Sequence, residues 1–180
     1  MADESIIWQD YCNKINGKYS GRSILNSCTI TAKYKNLNLI YNLVPIKKGL
    51  YYYFSKASIN IDNKGNFKFL FARKTNPGFY LGPYGLPSLI RSFKYDKIKT
   101  NTSIDKKYKI KTNNIEIFNK IFSEDGFYIL TQLPVFCFEI SDKKVYLLVN
   151  SDLTDNDDFM IIHKQCCFIV DILKEKEIIV

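Results

Sequence analysis

Histidine is nearly missing from this chain: His163 is the only one among 180 residues, beside one tryptophan, two methionines and three arginines, Arg22, Arg73 and Arg91. A single imidazole excludes a histidine-rich metal centre. The five cysteines, Cys12, Cys28, Cys137, Cys166 and Cys167, have no CxxC spacing that would make good the shortage. Their odd count in so apolar a chain reads as small buried hydrophobes rather than a disulfide framework. No metal and no cofactor is expected. Long hydrophobic runs are also absent, and nothing approaches the roughly 18 consecutive apolar residues of a membrane span. The opening stretch MADESIIWQDY carries acids where a secretory leader has a basic region. These features predict a soluble cytoplasmic protein.

Glycine is sparse too, with eight in all, and three of them gather in GFYLGPYGLP, residues 78–87. A dinucleotide loop needs GxGxxG between a strand and a helix, and a Walker loop needs a closing GK[ST]. Here Gly78, Gly82 and Gly85 are spaced GxxxGxxG, no lysine follows the last, and Pro83 and Pro87 remove amide donors. The segment fails as a phosphate cradle and reads as an aromatic turn-rich loop. Its Tyr80 and Tyr84, with the flanking Arg73, Lys74 and Arg91, form the candidate binding site. If the loop is a binding surface, Tyr80 and Tyr84 are partly exposed while Phe67, Phe69 and Phe71 are buried in a sheet.

Catalytic sets are equally thin. His163 and Cys166 stand i, i+3 on an expected helix and could touch, with Asp158 as an orienting acid. The surrounding FMII and CCFIV favour a buried, packed pair instead. The acidic loop SDLTDNDD does not follow the EF-hand pattern, and its carboxylates fit a helix N-terminus better. No catalytic residue is assigned.

What the chain has in quantity is apolar and aromatic surface, 46% and 15% of residues, enough for the core of one domain over residues 1–180. Charge is uneven. Residues 1–112 hold 20 Lys and Arg against 6 acids, whereas residues 113–180 hold 6 against 12. Such asymmetry marks either an anion-binding half or drift of lysine onto a solvated surface.

Periodicity gives the elements. Ile7, Trp8, Tyr11, Cys12 and Ile15 form one stripe of a helix over 3–15, capped by Asp3 and stopped by Gly17. Alternation then predicts a hairpin through residues 28–43 turning at Lys35-Asn36, a long strand over LYYYFSKASINID, and a return strand after DNKGN. Residues 74–105 are the least regular part. KKYKIK is a short strand with Tyr108 and Ile110 inward; Asn113 or Asn114 caps a helix that stops near Gly126, and FYILTQL is a second helical segment. VFCFEI and KVYLLV make a hairpin across SDKK. A last helix over 158–175 is apolar on most sides and deeply packed. The order predicts an α+β fold with mainly antiparallel sheet against an N-terminal helix, a middle helical segment and a C-terminal helix.

TNTSIDKKYKIKTNNIEIFNKIF, the hairpin VFCFEISDKKVYLLV with the final helix, and NGKYSGR resemble a group of uncharacterised bacterial proteins known as domains of unknown function. The shared pattern is "G.Y.GR … T.D..fDk.y.v". The resemblance implies the strand–helix–hairpin–helix order and no activity.

The expected function is therefore a non-enzymatic domain that binds another protein, as an immunity or accessory protein of a bacterial effector or defence system does. The alternative is binding of single-stranded nucleic acid or anionic lipid through the basic first half, whose lysines interleave with Tyr51–Tyr53, Phe67 and Phe69.

Overall fold

The computed structural model describes residues 4–21, 28–45, 53–74, 96–99, 104–122, 135–149 and 156–179. They form an α+β architecture: one nine-stranded, wholly antiparallel sheet with helices packed on one of its faces. In chain order the elements are α1 (Glu4–Lys14), β1 (Lys18–Ser20), β2 (Thr29–Tyr34), β3 (Leu37–Pro45), β4 (Tyr53–Asn60), β5 (Phe69–Arg73) and β6 (Asp96–Ile98). There follow α2 (Ile104–Lys107), β7 (Tyr108–Thr112), α3 (Ile115–Ile121), β8 (Val135–Ile140), β9 (Lys144–Val149) and α4 (Asn156–Glu175). The sheet order is β1-β2-β3-β4-β9-β8-β5-β7-β6. The late hairpin β8–β9 is thus inserted between β4 and β5, in the middle of the sheet.

Local chemistry explains the elements. In α1 the expected stripe faces inward, with Trp8, Tyr11 and Cys12 buried. The left-handed residue that ends it is Asn16 (φ 50), not Gly17. Asparagine tolerates that conformation, and the Gly17 amide returns to the Cys12 carbonyl at 2.8 Å. Gly17 is needed for space: a Cβ there would stand 3.1 Å from Ile30 Cγ2 and 3.2 Å from the Thr31 carbonyl. The β2–β3 hairpin turns at Lys35-Asn36, both at positive φ (45 and 67), as a two-residue mirror-type turn requires. Asn114 is the N-cap of α3, its Oδ1 accepting from the Ile117 amide at 3.0 Å. Asn113, the other expected cap, instead accepts from the Lys68 amide and donates to the Asn66 carbonyl, both at 2.7 Å.

The core lies between the sheet and the helices. Phe67, Phe69 and Phe71 are buried, as alternation required. Phe69 meets Phe118 and Phe122 of the α3 region and Phe138 of β8. At the other end Phe159 of α4 stacks on Tyr11 with centroids 4.5 Å apart and meets Trp8 and Tyr41 edge-on.

One expectation changes. The last helix is less deeply packed than its apolar sides suggest, because Ile161 and Phe168 are 41% and 39% exposed. Within residues 74–105, the described elements are β6 and the start of α2. The Asp3 cap, the FYILTQL helix and the acidic loop at 151–155 lie outside the described residues.

Candidate functional site

Of the candidate binding residues, Tyr80, Tyr84 and Arg91 lie outside the described residues. Arg73 ends β5 and Lys74 follows it. Arg73 stands opposite Tyr108 across the β5–β7 ladder, and the Lys74 amide donates to the Lys107 carbonyl at 2.9 Å. The Lys74 ammonium donates to the Asp105 carbonyl. These bonds tie the end of β5 to α2, so Lys74 has a structural task beside any contact with a ligand.

The histidine–cysteine pair forms, but with the neighbouring thiol. His163 Nε2 lies 3.7 Å from Cys167 Sγ, one turn along α4, and its Nδ1 lies 2.7 Å from the Tyr41 hydroxyl of β3. Cys166 points inward and is buried in the core. The i, i+3 spacing rotates Cys166 into the core, whereas the i, i+4 partner lies over the histidine. Electrostatics oppose nucleophilic use of these groups. Burial pushes the Cys166 thiol up to about 12 and raises Cys167, while burial lowers the His163 imidazole. A reactive cysteine needs the reverse, a thiolate beside an imidazolium. One turn further, Asp171 accepts from the Tyr34 hydroxyl at 3.0 Å and pairs with Lys35 at 2.7 Å. Lys174 donates to the Lys35 carbonyl at 2.9 Å. The polar track on α4 therefore fastens the helix to the β2–β3 hairpin. Among the described residues no group of three His, Cys, Asp or Glu side chains is placed to hold a metal ion.

The sheet face opposite the helices is set by the same alternation. Register lines up one row across it: Ser58 of β4, Tyr146 of β9, Glu139 of β8, Leu70 of β5, Lys111 of β7 and Lys97 of β6. Its centre is buried, with Leu70, Cys137, Leu148 and the Glu139 carboxyl all at 3% exposure or less. Lys56 lies over the Tyr146 ring, 5.4 Å from the centroid, and burial first, then neighbouring Lys144, lowers its ammonium pKa.

Toward the β6 edge the face becomes basic. Lys97 stands directly opposite Lys111, and Lys109 lies two residues along β7 on the same side. Their neighbours Ile98, Ile110 and Tyr108 pack against the helix-side core, which fixes the lysines on the other face. Burial, and then Lys109, lower the Lys111 pKa. The sequence showed these lysines one by one. Their grouping depends on the pairing of β6 with β7, which carries no local signal.

Two exposed apolar side chains, Ile161 and Phe168, stand seven residues apart on one line of α4, with exposed Lys164 between them. No helix among the described residues is long and apolar enough to cross a membrane.

No protein-family model matches the chain, and no curated protein matches it. Among solved structures it is similar to the mycobacterial trehalose monomycolate transport factor A, TtfA, at 6% sequence identity and a TM-score of 0.57. The match covers 93% of this chain and 94% of that one, so the two share a fold along nearly their whole length.

Proposed function

We propose that the chain is a non-enzymatic, cytoplasmic protein-binding domain, an immunity or accessory component of a bacterial effector or defence system. The observation that carries this reading is the outer line of α4. Ile161 and Phe168 hold large apolar surface in water on a helix whose inner side is already satisfied by Phe159, Ile162, Cys166 and Val170. Paired exposed aromatic and aliphatic residues beside a cation are the make-up of a protein-docking anchor, and the core does not need them outside. The partner surface complementary to this line is apolar with an acidic rim, facing Lys164. The solved structure that shares the fold is described as a transport factor, which is in keeping with an accessory role for such a scaffold.

Affinity capture of the tagged chain from its native host, with stoichiometry measured by mass spectrometry, tests the reading. A protein partner is expected at a near-equal ratio, and Phe168→Asp should remove it while leaving stability within about 0.5 kcal/mol, as for other surface substitutions. Failure to recover any stoichiometric protein, or unchanged capture by Ile161→Asp and Phe168→Asp, would overturn it.

A further inference from the structure

The turn that closes α1 carries covalent chemistry of its own. Asn16–Gly17 is the only Asn–Gly step in the 180 residues. At such a step the second residue has no side chain to shield its amide nitrogen. That nitrogen, once hydroxide has taken its proton, attacks the asparagine Cγ. Ammonia leaves and a five-membered succinimide remains. Water then opens the ring at one carbonyl to give aspartate, or at the other to give isoaspartate, whose backbone runs through Cβ and is one carbon longer. Water is the only co-reactant, and the side-chain nitrogen is lost as ammonia.

The fold holds this reaction back. The attacking atom is the Gly17 nitrogen, and its proton is donated to the Cys12 carbonyl at 2.8 Å. An amide in such a bond gives up its proton only while the turn is open. Nor can the nitrogen swing toward Asn16 Cγ without moving Gly17, which lies hard against β2. A Cβ there would stand 3.1 Å from Ile30 Cγ2 and 3.2 Å from the Thr31 carbonyl. Asn16 itself is exposed, in the left-handed conformation at φ 50. Water therefore reaches the side chain, and the backbone geometry alone prevents ring closure.

The product does not fit the place it came from. With an extra backbone carbon before Gly17, the bond from its amide to the Cys12 carbonyl no longer closes over the same span, and Gly17 is displaced from the one spot beside Ile30 that admits it. Ordinary aspartate is milder, adding a negative charge at the negative end of the helix. α1 brings Trp8, Tyr11 and Cys12 to the core, and both rings meet Phe159 of α4. We infer that Asn16–Gly17 is a fold-gated deamidation site and a one-way latch: the last turn of α1 opens to allow the reaction, and isoaspartate keeps α1 from closing again. The inference is independent of the protein-binding reading.

The test compares the full chain with a synthetic peptide of residues 12–20, both held at mildly alkaline pH, with peptide mass mapping of residue 16. Asn16 should convert about a hundredfold more slowly in the folded chain than in the peptide, the factor being the share of time the last turn is open. Urea below the unfolding transition should raise the rate in the chain toward that of the peptide. After removal of urea, the isoaspartate fraction should exchange amide hydrogens rapidly through Trp8–Cys12 and stay protected in β3, β4 and β9. The Asn16→Gly variant accepts the left-handed conformation and has no side-chain amide, so after the same treatment it should regain protection throughout. A folded-chain rate equal to that of the peptide, or a rate unmoved by urea, overturns the gating. An isoaspartate fraction as well protected in α1 as Asn16→Gly, or one that has lost protection across the sheet, overturns the latch.

Discussion

His163 is half-buried between Tyr41 of the sheet and Cys167 of its own helix. Burial holds its imidazole below the ordinary value of 6.5, so the unfolded chain takes up a proton in a range where the folded chain does not. The sign follows: the stability contributed by neutral His163 is complete above about pH 6.5 and is lost as pH falls through that value toward the folded pKa. Urea unfolding of the wild type and of His163→Gln, compared at pH 7.5, 6 and 5, should show the acid-side decline to be shallower in the variant. Equal slopes would mean that the histidine takes up its proton alike in the folded and unfolded chains, and would refute the lowered folded value. The same residue shows how much of the α4 polar track was legible. The sequence marked His163 and a nearby thiol as a packed pair, but it chose Cys166. Helical rotation alone left both cysteines within reach, and only the direction of the core, supplied by Phe159 and Ile162 on the same helix, decides which one turns inward.

Elements with a local signal were readable. The β2–β3 hairpin is written in alternating side chains around Lys35-Asn36, and α3 is written in an asparagine followed by Ile117, Phe118, Ile121 and Phe122. Both carry predictions. Asn114→Ala removes the acceptor for the Ile117 amide and should cost about 1 kcal/mol. Asn113→Ala spares that cap but frees the Lys68 amide, so its loss reports on the β5–β7 junction instead. Asn36→Gly should stabilise the hairpin by about 0.5 kcal/mol, because glycine accepts φ 67 without the penalty an L side chain retains. Thermal melts of the three variants check these values, and a destabilised Asn36→Gly would show that the asparagine side chain has a task of its own. β6 and α2 escaped notice for a physical reason. Three residues of strand and one turn of helix are too short to show a period, and DKI is held in place by Ile110 and Thr112 across the ladder rather than by its own composition. The exposed line of α4 escaped for the opposite reason: a helix apolar on most sides reads as buried, and nothing in its own sequence says which side lacks a neighbour.

At the scale of the molecule, the split of charge at residue 112 invites the idea of a basic module followed by an acidic one. The topology contradicts it. β8 and β9, both from the acidic part, fill the centre of the sheet: β9 pairs with β4 through Ser55–Asn60, and β8 pairs with β5 through Phe69–Ala72. Without them nothing joins β4 to β5, and the core row Ile59–Val145–Ile140–Phe69 is cut. α4, also from the second part, covers Tyr41 and Tyr11. The basic part alone would therefore expose Tyr11, Tyr41, Ile59, Phe69 and Phe71, each at 1% exposure or less in the whole chain. Removing partners from even one such ring costs about 3–5 kcal/mol, a large share of the stability of an ordinary domain. A fragment of residues 1–112 should accordingly show no cooperative thermal transition and should bind a hydrophobic dye, and so should a fragment of residues 113–180. Mixed from denaturant, the two should recover a single transition, since the cut is bridged by backbone ladders, buried packing and polar pairs such as Lys35–Asp171, none of them a covalent link. A cooperative melt from residues 1–112 alone would refute this, and would return the charge boundary to the status of a domain boundary.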